Sequence, residues 1–112
     1  MKKIEAVIKP DRLPVVLDKI SKIEHGSISY YDTWYRRISG DFTENLNQER
    51  NAHGFFYKTK VEMTVDDEQV DLAIHALCEG GYNGGGCDGR IFVMPVEQSL
   101  RIKSPESSDF HL

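Results

Sequence analysis

Gly80-Gly81-Tyr82-Asn83-Gly84-Gly85-Gly86-Cys87-Asp88-Gly89-Arg90-Ile91-Phe92-Val93-Met94-Pro95-Val96 is the stretch on which the reading of this chain turns. Six of the ten residues from 80 to 89 are glycine, and an apolar run follows directly. Glycine at that density is entropically costly and marks backbone that takes positive φ or approaches a ligand closely. Upstream, Val70, Ala73, Ile74 and Leu77 recur at helical spacing behind Asp66-Asp67-Glu68, acids that suit a first helical turn. The order is therefore helix, loop, strand, the reverse of the P-loop and dinucleotide fingerprints. Successive N–H groups in such a loop can form an anion-binding concavity, and Arg90, followed by Arg101 and Lys103, supplies charge for phosphate oxygens. A flexible loop with solvated cations satisfies the same residues.

Working toward the N-terminus, residues 56–65 alternate, with Tyr57, Thr59, Val61, Met63 and Val65 inward and Lys58, Lys60, Glu62 and Thr64 outward. Before them lies a mostly polar run, residues 36–55, without periodicity. Segments this long in so compact a domain are generally functional or disordered, and they project from the body. Ser27 to Tyr35 alternates again, Ile28, Tyr30 and Trp34 against Ser27, Ser29, Tyr31 and Thr33. Leu13, Val16, Leu17, Ile20 and Ile23 trace a helix that Asp11 can cap, with Pro14 tolerated in the first turn and His25-Gly26 closing it. Lys2 to Lys9 forms the first strand, Ile4, Ala6 and Ile8 on one face and Lys3, Glu5, Val7 and Lys9 on the other. Toward the C-terminus, Arg90 to Val96 is the last main strand, Leu100 to Lys103 a short extra one, and residues 104–112 a mobile tail.

The order is βαββαβ. Short connections and right-handed crossovers then give an α+β, ferredoxin-like sandwich: a four-stranded antiparallel sheet with two helices on one face. The other face, carrying Lys3, Glu5, Lys60 and Glu62, is left for other subunits.

At 112 residues the chain makes one domain, and the net charge of −4 argues against general nucleic-acid affinity. Met-Lys-Lys-Ile-Glu-Ala-Val-Ile-Lys lacks the apolar core of a signal peptide, and no apolar run reaches membrane-spanning length, so a cytoplasmic protein that is not membrane-inserted is expected. Cys78 and Cys87 read as free thiols, Cys87 the more reactive beside Arg90. His25, His53, His75 and His111 show no metal-ligand spacing.

Met-Lys-Lys-Ile-Glu-Ala-Val-Ile-Lys-Pro at the start, Asp88-Gly89-Arg90-Ile91-Phe92-Val93, Val96-Glu97 and Arg101-Ile102-Lys103 together resemble the PII nitrogen-regulatory proteins, and the resemblance runs the length of the chain. It implies a homotrimer with adenine nucleotide (ATP, ADP or AMP) in clefts between subunits, without fixing whether Mg2+ accompanies it. It also implies that residues 36–55 are the T-loop, which docks on a regulated protein, a membrane transporter or an enzyme. Carried over by position, it puts Val7, Ser29 and Thr64 around adenine and ribose. Gly86, Cys87, Asp88, Gly89, Arg90, Arg101 and Lys103 fall around the phosphates, and Lys58, Arg37 and Ser39 at the T-loop base. Hydroxyls can read a purine edge, and guanidinium groups suit phosphate oxygens.

Departures from the family cluster at the effector positions. Its Gly-Phe-Gly-Arg-Gln at the start of the T-loop is Tyr35-Arg36-Arg37-Ile38-Ser39 here, which removes the glutamine associated with 2-oxoglutarate and magnesium. The uridylylated tyrosine of many members falls at Asn51, the usual threonine of the phosphate loop at Asn83, and a glycine at Cys87. Divergent PII-like proteins, including carboxysome-associated ones responding to bicarbonate and adenine nucleotides, are the better comparison. A small ferredoxin-like phosphatase using Arg90 and Asn83 lacks a nucleophile–base pair, so no catalytic residue is assigned. RNA binding through Phe55, Phe56 and Tyr57 lacks a basic sheet.

Overall fold

The computed structural model describes residues 1–24, 26–36, 38, 54–85 and 89–106. Strand β1 (Lys2–Ile8) leads through a 3-10 turn (Pro10–Arg12) into helix α1 (Leu13–Ile20), followed by β2 (Ser27–Tyr35) and β3 (Phe56–Val65). A second 3-10 turn (Asp67–Gln69) opens helix α2 (Val70–Gly81), and β4 (Gly89–Pro95) completes the sheet. All pairings are antiparallel in the order β2-β3-β1-β4, which is the ferredoxin-like α+β arrangement. No helix among the described residues is long and apolar enough to cross a membrane.

Period-two and period-3.6 patterns meet in one core. Ile4, Ala6 and Ile8 of β1 and Val61, Met63 and Val65 of β3 face Val16 and Ile20 of α1 and Ala73, Ala76 and Leu77 of α2. Strand β2 contributes nothing to this cluster among the described residues, because it is the outer strand and lies beyond the helices. Its Ile28, Tyr30 and Trp34 are exposed.

Local chemistry corrects several expectations. Asp11 makes no capping hydrogen bond: it sits inside the 3-10 turn set by Pro10, and α1 starts after Arg12. That helix stops at Ile20, well before His25-Gly26, because its last turn tightens, with Ser21 N–H donating to Leu17 and Asp18 carbonyls and Ile23 N–H to the Ile20 carbonyl. Gly80 and Gly81 belong to the last turn of α2 rather than to the loop. A Cβ on Gly80 would stand 2.7 Å from Val16 Cα, so glycine is what lets the helices touch, and Arg12 Nε donates to the Gly80 carbonyl at 2.8 Å across that contact. The Leu100–Lys103 strand reduces to a single bridge residue at Leu100.

The helices are also joined by charge. Glu79 accepts from Lys19 at 3.4 Å and pairs with His75 one turn earlier. The hydrogen bond from Lys19 and the charge of His75 hold the Glu79 carboxyl below its ordinary value of 4.5. A carboxyl lowered in the folded state stabilises above its unfolded pKa, and that contribution fades as pH falls through the lowered value. Glu79→Gln should therefore flatten the acid limb of stability below about pH 4.5, read from denaturant midpoints against pH, with a small effect because the pair is exposed.

On the sheet face opposite the helices, Glu5 and Glu62 stand directly across the β1–β3 ladder, an unfavourable like-charge pairing. Two lysines offset it: Lys3 Nζ lies 3.6 Å from Glu5 and 3.9 Å from Glu62, and Lys60 Nζ lies 3.6 Å from the other Glu5 oxygen. Tyr31 Oη donates to Glu62 at 3.3 Å. Burial would lower the Lys60 pKa, but Glu5 and Tyr31 outweigh it and raise it.

Candidate functional site

The first strand and the last pair along their whole length. In the β1–β4 register Val7 faces Arg90 and Ile8 faces Gly89. Gly89 has φ 137°, and a Cβ there would lie 1.9 Å from the Val7 carbonyl oxygen, so this entry into β4 is open only to glycine. Between the end of α2 and these strands lies a cavity of about 330 Å³ lined by Val7, Ile8, Leu77, Cys78, Gly81, Tyr82, Gly89, Arg90 and Ile91. Its lining is mostly apolar, and Arg90 is the charged residue among those that line it. Val7 was expected among outward residues but is buried, since its neighbours across the two ladders are Arg90 and Lys60, long stems that can cover a small side chain. Cys78, on the cavity wall, is an exposed free thiol.

Asn83 organises the start of the glycine loop. Its Oδ1 accepts from Gly85 N–H at 3.1 Å, an Asx-type turn, and from Lys9 Nζ at 3.2 Å. Lys9 is the residue that sequence reasoning missed, taken for an ordinary outward strand position. Alternation along β1 cannot reveal a partner 74 residues away.

Ser29 and Thr64 sit on the open sheet face, Ser29 opposite Glu62 and Thr64 opposite Ser27. Since Glu62 in turn faces Glu5, Ser29 is two strands and two residues removed from Val7, about 12 Å, and about 16 Å from Arg90. Val7, Gly89 and Arg90 are thus brought together, while Ser29 and Thr64 form a separate group. Arg101 and Lys103 lie in the irregular segment after β4 and are not among the described residues that line the cavity. Gly86, Cys87, Asp88, Arg37 and Ser39 lie outside the described residues, as do the greater part of the 36–55 loop and residues 107–112 of the tail.

Lys58 is buried, contrary to the alternation that put it outward with Lys60. Alternation gives a side chain's direction and not what covers it, and Lys58 lies at the end of the sheet opposite Thr33, where the chain enters and leaves the 36–55 segment. That entrance is held by aromatic contacts: Trp34 packs edge-on to Tyr57 with centroids 5.3 Å apart, and the Arg36 guanidinium lies 5.6 Å from the Phe55 ring centre. Thr59 donates to Asp32 at 3.1 Å just below it.

Comparison with known proteins gives the family. The family described as "Nitrogen regulatory protein P-II" matches residues 1–106. A nitrogen regulatory protein P-II of Nostoc punctiforme is 36% identical over 111 residues, covering 96% of each chain. One from Pasteurella multocida is 36% identical over 110 residues, 97% of each, and one from Azospirillum brasilense 35% identical over 107 residues, 95% of each. The chain belongs to the P-II family of nitrogen regulatory proteins, whose members are signal-transduction regulators rather than enzymes.

Proposed function

We propose that this protein is a P-II-type regulator that binds adenine nucleotide in clefts between subunits and passes the signal through residues 36–55 to a partner protein, a transporter or a metabolic enzyme. Proteins of the family are generally trimeric regulators of partner proteins. The observation that carries the reading is the split of the candidate residues into two groups: Val7, Gly89 and Arg90 around the cavity, and Ser29 and Thr64 about 12 Å or more away across the sheet. An apolar cleft with a guanidinium suits a base and its phosphates, and hydroxyls from a neighbouring subunit would complete it. Arg101, Lys103 and the segment Gly86-Cys87-Asp88 are proposed to close around the phosphates.

Calorimetry with ATP, ADP and AMP, each with and without Mg2+, tests the reading, with assay of released phosphate to expose hydrolysis. Arg90→Ala and Arg101→Ala should each weaken nucleotide binding about tenfold or more, one charge-assisted contact of roughly 1.5–3 kcal/mol being lost. Lys103→Ala should cost less. Unchanged affinity in all three would refute the phosphate assignment. Sedimentation equilibrium tests the trimer.

A bicarbonate-linked role is the second reading. It is favoured by Ser39 standing where the family's glutamine would, since serine lacks the reach and amide oxygen for a 2-oxoglutarate–magnesium complex. No 2-oxoglutarate binding is expected with Mg-ATP present, and a magnesium-dependent isotherm would contradict that.

A further inference from the structure

Gly81 is a glycine that the fold does not demand. It lies in the last turn of α2 with φ outside the left-handed region, where alanine is the better helix former. A Cβ built on it would meet nothing nearer than Ile8 Cγ2 at 3.6 Å, an ordinary contact, whereas one on Gly80 would strike α1. What a side chain at 81 would take up is the volume of the cavity, which Gly81 lines together with Ile8 and Leu77.

Tyr82, the next residue, gives a second and independent observation. Its N–H donates to the Cys78 carbonyl at 3.0 Å and its backbone turns extended at φ −80° and ψ 129°, so the residue is anchored where the helix ends. The side chain covers no core. It is 68% exposed, yet it lines the cavity, and its hydroxyl makes no hydrogen bond among the described residues. The outer end of the ring lies beside Gly84, where a Cβ would stand 3.7 Å from the hydroxyl oxygen. A large ring held at the edge of a mostly apolar cavity suits the reception of a second ring. Arg90, on the same lining, has no ion pair among the described residues and can meet an anion that such a ring carries.

We infer that this cavity takes the base of the nucleotide, with Tyr82 as the wall on which the base stacks and Gly81 as the gap that gives it room. A cavity of about 330 Å³ stands at the small end of ligand sites, which suits a planar base with its phosphates left outside. This inference rests on the nucleotide reading and assigns the end of the ligand that the phosphate contacts leave open.

Cys78 makes the location measurable, because it is an exposed free thiol on the cavity wall. Saturating ATP should slow alkylation of Cys78 by iodoacetamide about tenfold, read on its peptide by mass spectrometry, and tripolyphosphate, which has no base, should not. In calorimetry with ATP, Tyr82→Ala should weaken binding about tenfold through the lost stacking, and Tyr82→Phe should retain the affinity. Gly81→Ala should weaken ATP binding several-fold while its unfolding midpoint stays at or above the parent's, a split that a merely structural glycine would not give. Cys78 alkylated at the same rate in free and ATP-saturated protein overturns the inference and leaves the nucleotide reading standing. So does parental ATP affinity in Tyr82→Ala and Gly81→Ala while Arg90→Ala loses it. A Gly81→Ala protein well below parental stability overturns the role given to Gly81. A parent that binds no adenine nucleotide overturns both readings together.

Discussion

Gly89→Ala should unfold β4 from the sheet's edge and abolish nucleotide binding together. Two costs add. The backbone at φ 137° is a region essentially reserved for glycine, worth about 1–3 kcal/mol when another residue is forced into it. The new Cβ would also lie 1.9 Å from the Val7 carbonyl oxygen, an overlap with backbone that no rotamer relieves. Either the Ile8–Gly89 and Val7–Arg90 pairs separate or the strand re-enters at another residue, and both outcomes move Arg90 away from the cavity. A loss of about 3 kcal/mol or more in urea unfolding, with nucleotide affinity undetectable in the surviving fold, is the expected result. An alanine variant of parental stability would mean that the glycine is not demanded at this position.

Gly80→Ala carries the second large effect, and its sign is decided by competing magnitudes. Within a helix, alanine is intrinsically better than glycine by about 0.8–1 kcal/mol. Against this, the added methyl would stand 2.7 Å from Val16 Cα and 3.0 Å from its nitrogen, so α1 must move as a whole. Overpacking costs typically about 1–3 kcal/mol, and here the shift would also pull Arg12 from the Gly80 carbonyl, so net destabilisation is expected. Gly80→Val should be worse, and the companion change Val16→Ala should not rescue it, because the obstacle is backbone. Thermal unfolding of the three variants checks this. A Gly80→Ala protein that melts higher than the parent would show that propensity wins.

The two outer glycines of the quoted stretch illustrate what the chain's letters reveal. Alternation placed β2 and β3 on their observed residues; in β3 one face is coupled to the core, whereas β2 alternates without burying either face there. The helices were legible for the same reason at 3.6. Gly80 and Gly81 were read as loop because glycine signals a break locally, whereas at Gly80 the need is for close approach of a helix distant in sequence. Lys58 and Val7 were read as outward from parity alone, which carries no knowledge of what lies over a strand's end. Asp11 had the right chemistry for a cap but stood behind a proline that forced a 3-10 turn first. At the site, composition pointed to the stretch that holds Gly89 and Arg90, two of the residues lining the cavity. Lys9 was invisible, since its bond to Asn83 spans 74 residues of sequence.

Both ends of that glycine loop are tied to the scaffold before any ligand arrives. At one end Gly81 closes a helix packed against α1; at the other Gly89 is locked into the β1–β4 ladder. Bringing the ends of a loop together carries an entropic cost that grows only slowly with its length, and in this fold that cost is met when the domain folds rather than when a ligand binds. The distance between these two anchors is set by the fold, so a ligand arriving at this end of the sheet does not have to bring them together. Lengthening that segment by inserted residues would thus change affinity through the geometry of its N–H groups and hardly at all through its span.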